Sequence, residues 1–159
     1  MSVLNKEPVK RVERFLKGFD QNLKVILLDT SARTALEAAS SLDCEVGAIV
    51  KSLLFKTENS FMLCLVAGDK KASLDKIKKI LDIKDAKMAS ADEVKKVTGF
   101  TIGGVSPIGH SNKVNTYIDK SLERFPTLFA AAGHPNCVFK ISYSNLQKIT
   151  EGLVEEITE

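Results

Sequence analysis

The chain has 159 residues, a net charge of +3, 44% hydrophobic residues and 27% charged residues. These values describe one globular domain spanning residues 1–159, long enough to bury its own core, and they exclude a low-complexity or strongly basic nucleic-acid-coating chain. No apolar run reaches the ~20 residues of a membrane-crossing helix, and residues 1–5 open no basic-then-apolar leader, so no membrane association is expected. Cys44, Cys64 and Cys137 lie far apart with no CxxC pair. They are expected to stay unpaired in a reducing, cytoplasmic setting. Charge is unevenly spread: residues 69–96 carry nine lysines against six acidic residues, and residues 151–159 are acidic. That layout suits a phosphate-bearing partner at one face, and equally a set of solvated helix faces.

In chain order, Val9, Val12, Phe15 and Leu16 recur at helical spacing after Pro8, giving a first helix that ends near Gly18. Residues 25–28 form a short apolar run, expected as a buried strand. Thr30 or Ser31 is expected to cap a helix over 32–42, with Ala35, Leu36, Ala38, Ala39 and Leu42 on its packed face. Residues 49–55 and 61–67 read as a β-hairpin whose second strand, almost wholly apolar, is central. Ser73 caps a helix to about Leu81, and Ser90-Ala-Asp-Glu93 is a capping-box pattern opening a short helix to Val97. Strands are expected at 115–118, 127–132 and 138–142, with a helical turn at 122–125 and a tight turn at 133–136. A last helix opens at Ser144 or Asn145, and residues 153–157 add an edge strand. Helices and strands mix without strict alternation, so the fold class is α+β around a curved, barrel-like mixed or antiparallel sheet flanked by helices.

The stretch 99–109 holds four of the nine glycines and one of the four prolines. Such a loop is held in one shape, with backbone groups available to a ligand or simply closing a tight turn. Lys51 stands in a strand otherwise bound for the core. An unpaired ammonium is costly to bury, so it either faces a cavity or ligand or guards a strand edge. His134, between Gly133 and Pro135, is held rigidly, as a binding group or as an ordinary turn residue. His110, one residue past the loop, reads as a surface residue. Two histidines without HExxH or clustered carboxylates make no metal site. Ser106 lacks a nucleophile elbow, and the glycines fit neither a dinucleotide nor a P-loop pattern.

Four stretches stand in order: Ala-Ile-Val-Lys51-Ser-Leu-Leu-Phe, Leu-Val-Ala-Gly68-Asp, Thr98-Gly-Phe-Thr-Ile-Gly-Gly-Val-Ser-Pro-Ile-Gly, and Phe-Ala-Ala-Ala-Gly-His134-Pro. Together they resemble the YbaK / prolyl-tRNA-synthetase-associated editing-domain family over residues 30–150. The resemblance implies a single-domain hydrolase that cleaves, in trans, the ester joining a wrong amino acid to the 3′ end of a tRNA. It implies no metal or organic cofactor. Its partners would be the acceptor end of aminoacyl-tRNA and an aminoacyl-tRNA synthetase.

On the same resemblance, Lys51 contacts the terminal adenosine or its phosphate, and Gly103 and Gly104 supply backbone N–H groups to the oxyanion. Val105, Ser106, Pro107, His134 and Thr30 are placed around the substrate. No protein nucleophile is implied; a positioned water attacks. Gly109-His-Ser-Asn-Lys113 and Gly133-His-Pro depart from the cysteine-clearing branch, so serine, threonine or alanine is the expected amino acid and cysteine less so. The alternatives are a non-catalytic tRNA- or nucleotide-binding module and a synthetase-docking domain of the same fold.

Overall fold

A strand of nine residues, β2 (Ile49–Thr57), organises the computed structural model, which describes residues 2–159. Along one whole edge it pairs antiparallel with β3 (Phe61–Ala67), from Val50 opposite Ala67 to Lys56 opposite Phe61. Its other edge is divided. Ile49 and Val50 run parallel to Phe129 and Ala130 of β6 (Leu128–His134), while Phe55–Thr57 run antiparallel to β4 (Ala86–Met88). Between these two partners, Lys51, Ser52 and Leu53 have no strand beside them.

The remaining strands are β1 (Val25–Leu27), β5 (Asn115–Asp119), β7 (Cys137–Ile141) and β8 (Leu153–Glu155). The sheet has eight strands in the order β1-β7-β6-β2-β3-β5-β8, with β4 off that path, and it curls into a half-barrel. The hairpin, the central place of β3 and the mixed sheet all match the sequence pattern. Alternate residues of β3 serve opposite faces. Leu63, Leu65 and Ala67 join the main core, whereas Met62, Cys64 and Val66 pack with Phe55, Ile77 and Ile157. Burial on both faces is why the strand is apolar throughout.

Among the described residues five α-helices flank the sheet: α1 (Glu7–Phe19), α2 (Ala35–Leu42), α3 (Leu74–Leu81), α4 (Ala91–Thr98) and α5 (Tyr143–Thr150). Helix α1 buries Val9, Val12 and Leu16 in the main core. Ser73 and the Ser90/Glu93 capping box stand where the sequence placed them.

Several expectations are corrected. Helix α2 begins at Ala35, not Ala32, because Thr34 rather than Thr30 or Ser31 caps it, in a capping box with Glu37. Leu36 is 69% exposed, so the packed face is Ala38 and Ala39, with Ala35 and Leu42 packed against that cluster as expected. Strand β1 is only half-buried, since it lies at the sheet's edge. Gly133 and His134 complete β6 across a register shift after Ala131 and are not the start of a separate turn. Ser142 caps α5, ahead of Ser144 and Asn145. Strand β4, with only three residues, carried no recognisable period.

Candidate active site

The break in the β2 edge opens into a cleft of about 340 Å³. Val50, Ser52 and Leu54 form its floor, Phe129–Ala131 of β6 one side, and Met88 and Ala89 the other. Ala35 and Ala38 of α2, and Ile102, Gly103 and Val105 of the glycine loop, complete the lining. The lining is apolar except for Lys51, Ser52, Arg33, Thr34 and exposed backbone. An apolar cleft with a few polar groups is the usual form of a small-ligand site.

The glycine loop is fixed from behind. Gly99 ends α4 in the left-handed conformation, and Gly103 and Gly109 have φ of +94° and +77°. Ser106 is fully buried, its Oγ accepting from the Ile108 N–H at 3.2 Å. His110 Nε2 donates to the Ser106 carbonyl at 2.8 Å, and its ring meets Phe100 edge-on with centroids 6.0 Å apart. Burial lowers the His110 pKa, which keeps the ring neutral as a staple within the loop; it is not the surface residue expected. Arg11 of α1 donates from Nε to the Gly109 carbonyl and lies 4.9 Å from the Phe100 centroid.

This support decides which backbone donors of the loop are already used. The Gly104 N–H is used within the loop, donating to the Thr101 carbonyl at 3.0 Å. Among the described residues the N–H groups of Gly103 and Val105 have no protein acceptor, and both residues line the cleft. Gly104 is glycine because a Cβ there would stand 2.9 Å from the backbone N and Cα of His134.

The other residues singled out in the sequence take varied places. Lys51 lines the cleft, its Nζ donating to the Lys70 carbonyl at 2.5 Å, and desolvation lowers its pKa against the pull of Asp69. His134 brings its backbone against Gly104 without forming a cleft wall. Its Nδ1 accepts the Asn136 N–H at 3.0 Å, and burial, with the charges of Lys6 and Arg33, lowers its pKa. The neutral tautomer therefore carries its proton on Nε2. Ser106 and Pro107 are buried. Thr30 bonds to the Ser41 hydroxyl at 2.8 Å and lines a separate shallow depression with Ser31 and Leu36.

Two residues had no signal in the sequence. Ser52 has a buried Oγ without a hydrogen-bond partner, and Arg33 stands at the rim. Neither breaks a local pattern, and both acquire meaning only when the cleft is assembled.

Residues 29–149 match the aminoacyl-tRNA editing domain. The chain belongs to that family. This editing domain is 32% identical over 143 residues to the protein YwhH of Bacillus subtilis, covering 89% of this chain and 90% of that one. It is 31% identical over 121 residues to the proline–tRNA ligase of Bacillus velezensis, covering 76% of this chain but 20% of the ligase. A crystal structure described as that of a candidate trans-editing enzyme for prolyl-tRNA synthetase superposes with a TM-score of 0.91 at 36% identity, covering 97% of this chain and 98% of that one.

Burial pushes the Cys64 thiol up to about 12, with Asp119 adding to the effect, and it also raises Cys137. Among the described residues no group of three or more His, Cys, Asp or Glu side chains is placed to hold a metal ion. Among the described residues no helix is long and apolar enough to cross a membrane.

Proposed function

We propose that this editing domain is an aminoacyl-tRNA deacylase that hydrolyses the ester between a small non-cognate amino acid and the 3′ end of tRNA, with serine, threonine or alanine favoured. The observation that supports this reading is that Gly103 and Val105, which both line an apolar cleft, have N–H groups without an acceptor among the described residues. They are suited to donate to the carbonyl oxygen of the ester and so stabilise its developing negative charge. Water adds to the carbonyl carbon, the C–O bond to the ribose breaks, and the ribose oxygen leaves with a proton. The products are a free amino acid and tRNA with its hydroxyl restored.

The remaining residues orient the substrate. Val50, Leu54 and Ala130 suit a small side chain, and the unpartnered Ser52 hydroxyl offers it a polar contact. Lys51 would exchange the Lys70 carbonyl for an oxygen of the terminal nucleoside. His134 and the buried Ser106 and Pro107 act by holding the loop, so Gly104 serves close packing and the second donor is assigned to Val105. Preorganised donors act without a covalent intermediate.

The test is deacylation of tRNAs charged with Ser, Thr, Ala, Cys or Pro, by the parent protein and by Lys51→Ala. Hydrolysis of one or two small amino acids is expected, reduced by about 10²-fold or more in the variant. No turnover of any of the five by folded protein, with tRNA still bound, would support the binding-module alternative.

A further inference from the structure

The rim of the cleft carries a cation with no role in the fold. Arg33 is exposed, lines the cleft, and has no ion-pair partner among the described residues. The carboxylate four residues on, Glu37, is the natural helical partner but is committed to Thr34, accepting from its N–H at 3.2 Å. The Arg33 stem lies across the glycine loop: a Cβ on Gly103 would stand 3.4 Å from its Cγ and 3.6 Å from its Cβ. The side chain thus starts beside the glycine loop, which brings its guanidinium within a side-chain length of Gly103. The other cleft cation, Lys51, is turned to the Lys70 carbonyl. The charges of Arg33 and Lys6 both reach His134, whose backbone lies against Gly104.

We propose that Arg33 is the phosphate-binding residue of the site, gripping the phosphodiester on the 5′ side of the terminal nucleoside. The inference rests on the editing reading for the identity of the ligand, and its chemistry is a guanidinium–phosphate pair, which planar donors make in bidentate form. An ester carbonyl held at Gly103 leaves the 5′ phosphate of the same nucleotide within reach of a side chain as long as arginine. Arg33 is accordingly a binding residue that does not touch the ester.

Two substrates separate this role from others: aminoacyl-tRNA, and the matching aminoacyl-adenosine, which lacks the phosphate. In Arg33→Gln, KM for aminoacyl-tRNA is expected to rise roughly tenfold with kcat within about twofold. Hydrolysis of aminoacyl-adenosine should be unchanged, and Arg33→Lys should recover only part of the loss, because it keeps the charge without the bidentate fork. Direct binding of an uncharged single-stranded RNA ending in CCA gives a readout independent of hydrolysis. Its salt dependence should flatten by about 0.7 in log–log slope when Arg33 becomes Gln. Unchanged affinity and slope in Arg33→Gln, equal loss on the phosphate-free ester, or no binding of the RNA by the parent protein would each overturn the assignment. A parent that binds the RNA with the expected Arg33 dependence yet hydrolyses nothing would refute the deacylase reading and leave the phosphate contact standing.

Discussion

Gly103 and Gly104 are neighbours in the loop with different reasons for being glycine. Gly103 has φ of +94°, while Gly104 has no positive φ and instead lies against the His134 backbone. Gly103→Ala should cost about 1–2 kcal/mol through backbone strain. Gly104→Ala should cost about 1–3 kcal/mol through overpacking against atoms that cannot rotate away. Urea unfolding measures both, and parent-like stability in either variant would remove its stated cause. Ser52 calls for the opposite outcome. Its hydroxyl has no partner, so Ser52→Ala should leave the unfolding midpoint unchanged or raised. A loss of more than about 1 kcal/mol would mean that the hydroxyl is satisfied in the free protein. The glycine-rich character of this loop was legible in the sequence, but the division of labour within it was not. The N–H of Gly104 is spent on Thr101, and only the folded turn shows that.

At the level of elements, legibility followed local chemistry. Helices α3 and α4 were placed because their caps lie within three residues of the groups they bond. Helix α2 carried the same information in Thr34 and Glu37, but the earlier Thr30 and Ser31 competed for the position. Strand β4 exists because Phe55–Thr57 offer it an edge, and no property of Ala-Lys-Met announces that. Helix α4 yields a pH-dependent prediction. The Glu93 carboxyl is held at about 2, first by the Ser90 backbone N–H and then by Lys56. Because that lies below the unfolded value of about 4.3, its contribution is present above about pH 4.3 and is lost as pH falls toward 2. Glu93→Gln should therefore flatten the acid limb of the stability curve, and an identical limb would contradict the assignment. Arg11 joins α1 to the loop across 98 positions of sequence, which no local pattern could show. Arg11→Met should speed amide hydrogen exchange within residues 99–109 while leaving β3 protected; unchanged exchange in the loop would deny the helix its supporting role.

The whole molecule places its site where one strand changes partners. Segments around residues 33, 52, 88, 103 and 130 meet only because β2 pairs parallel with β6 at one end and antiparallel with β4 at the other. Parallel pairs need long crossovers, so their partners are distant in sequence and the cleft was invisible there. Only the class of fold and the recurring motifs could be read in advance. Both histidines affect the stability of this assembly. Burial lowers the pKa of His110 and of His134, so the folded chain binds fewer protons than the unfolded one below about pH 6.5. Their stabilising contribution is complete above that pH and is lost as pH falls through the folded values. The urea midpoint should drop between about pH 7.5 and 5.5, and less steeply in His110→Gln; a flat midpoint in the parent would contradict the burial of both rings.

The most direct measurement is a titration of the ¹⁵N-labelled protein with a phosphonate analogue of the aminoacyl ester, whose tetrahedral centre carries the oxyanion charge permanently. Downfield shifts of the Gly103 and Val105 amide protons are expected, with the Gly104 amide, already bonded to Thr101, moving least. Binding that shifts Gly104 and leaves Gly103 and Val105 unmoved, or no response anywhere in the loop, would contradict the assignment of those two donors.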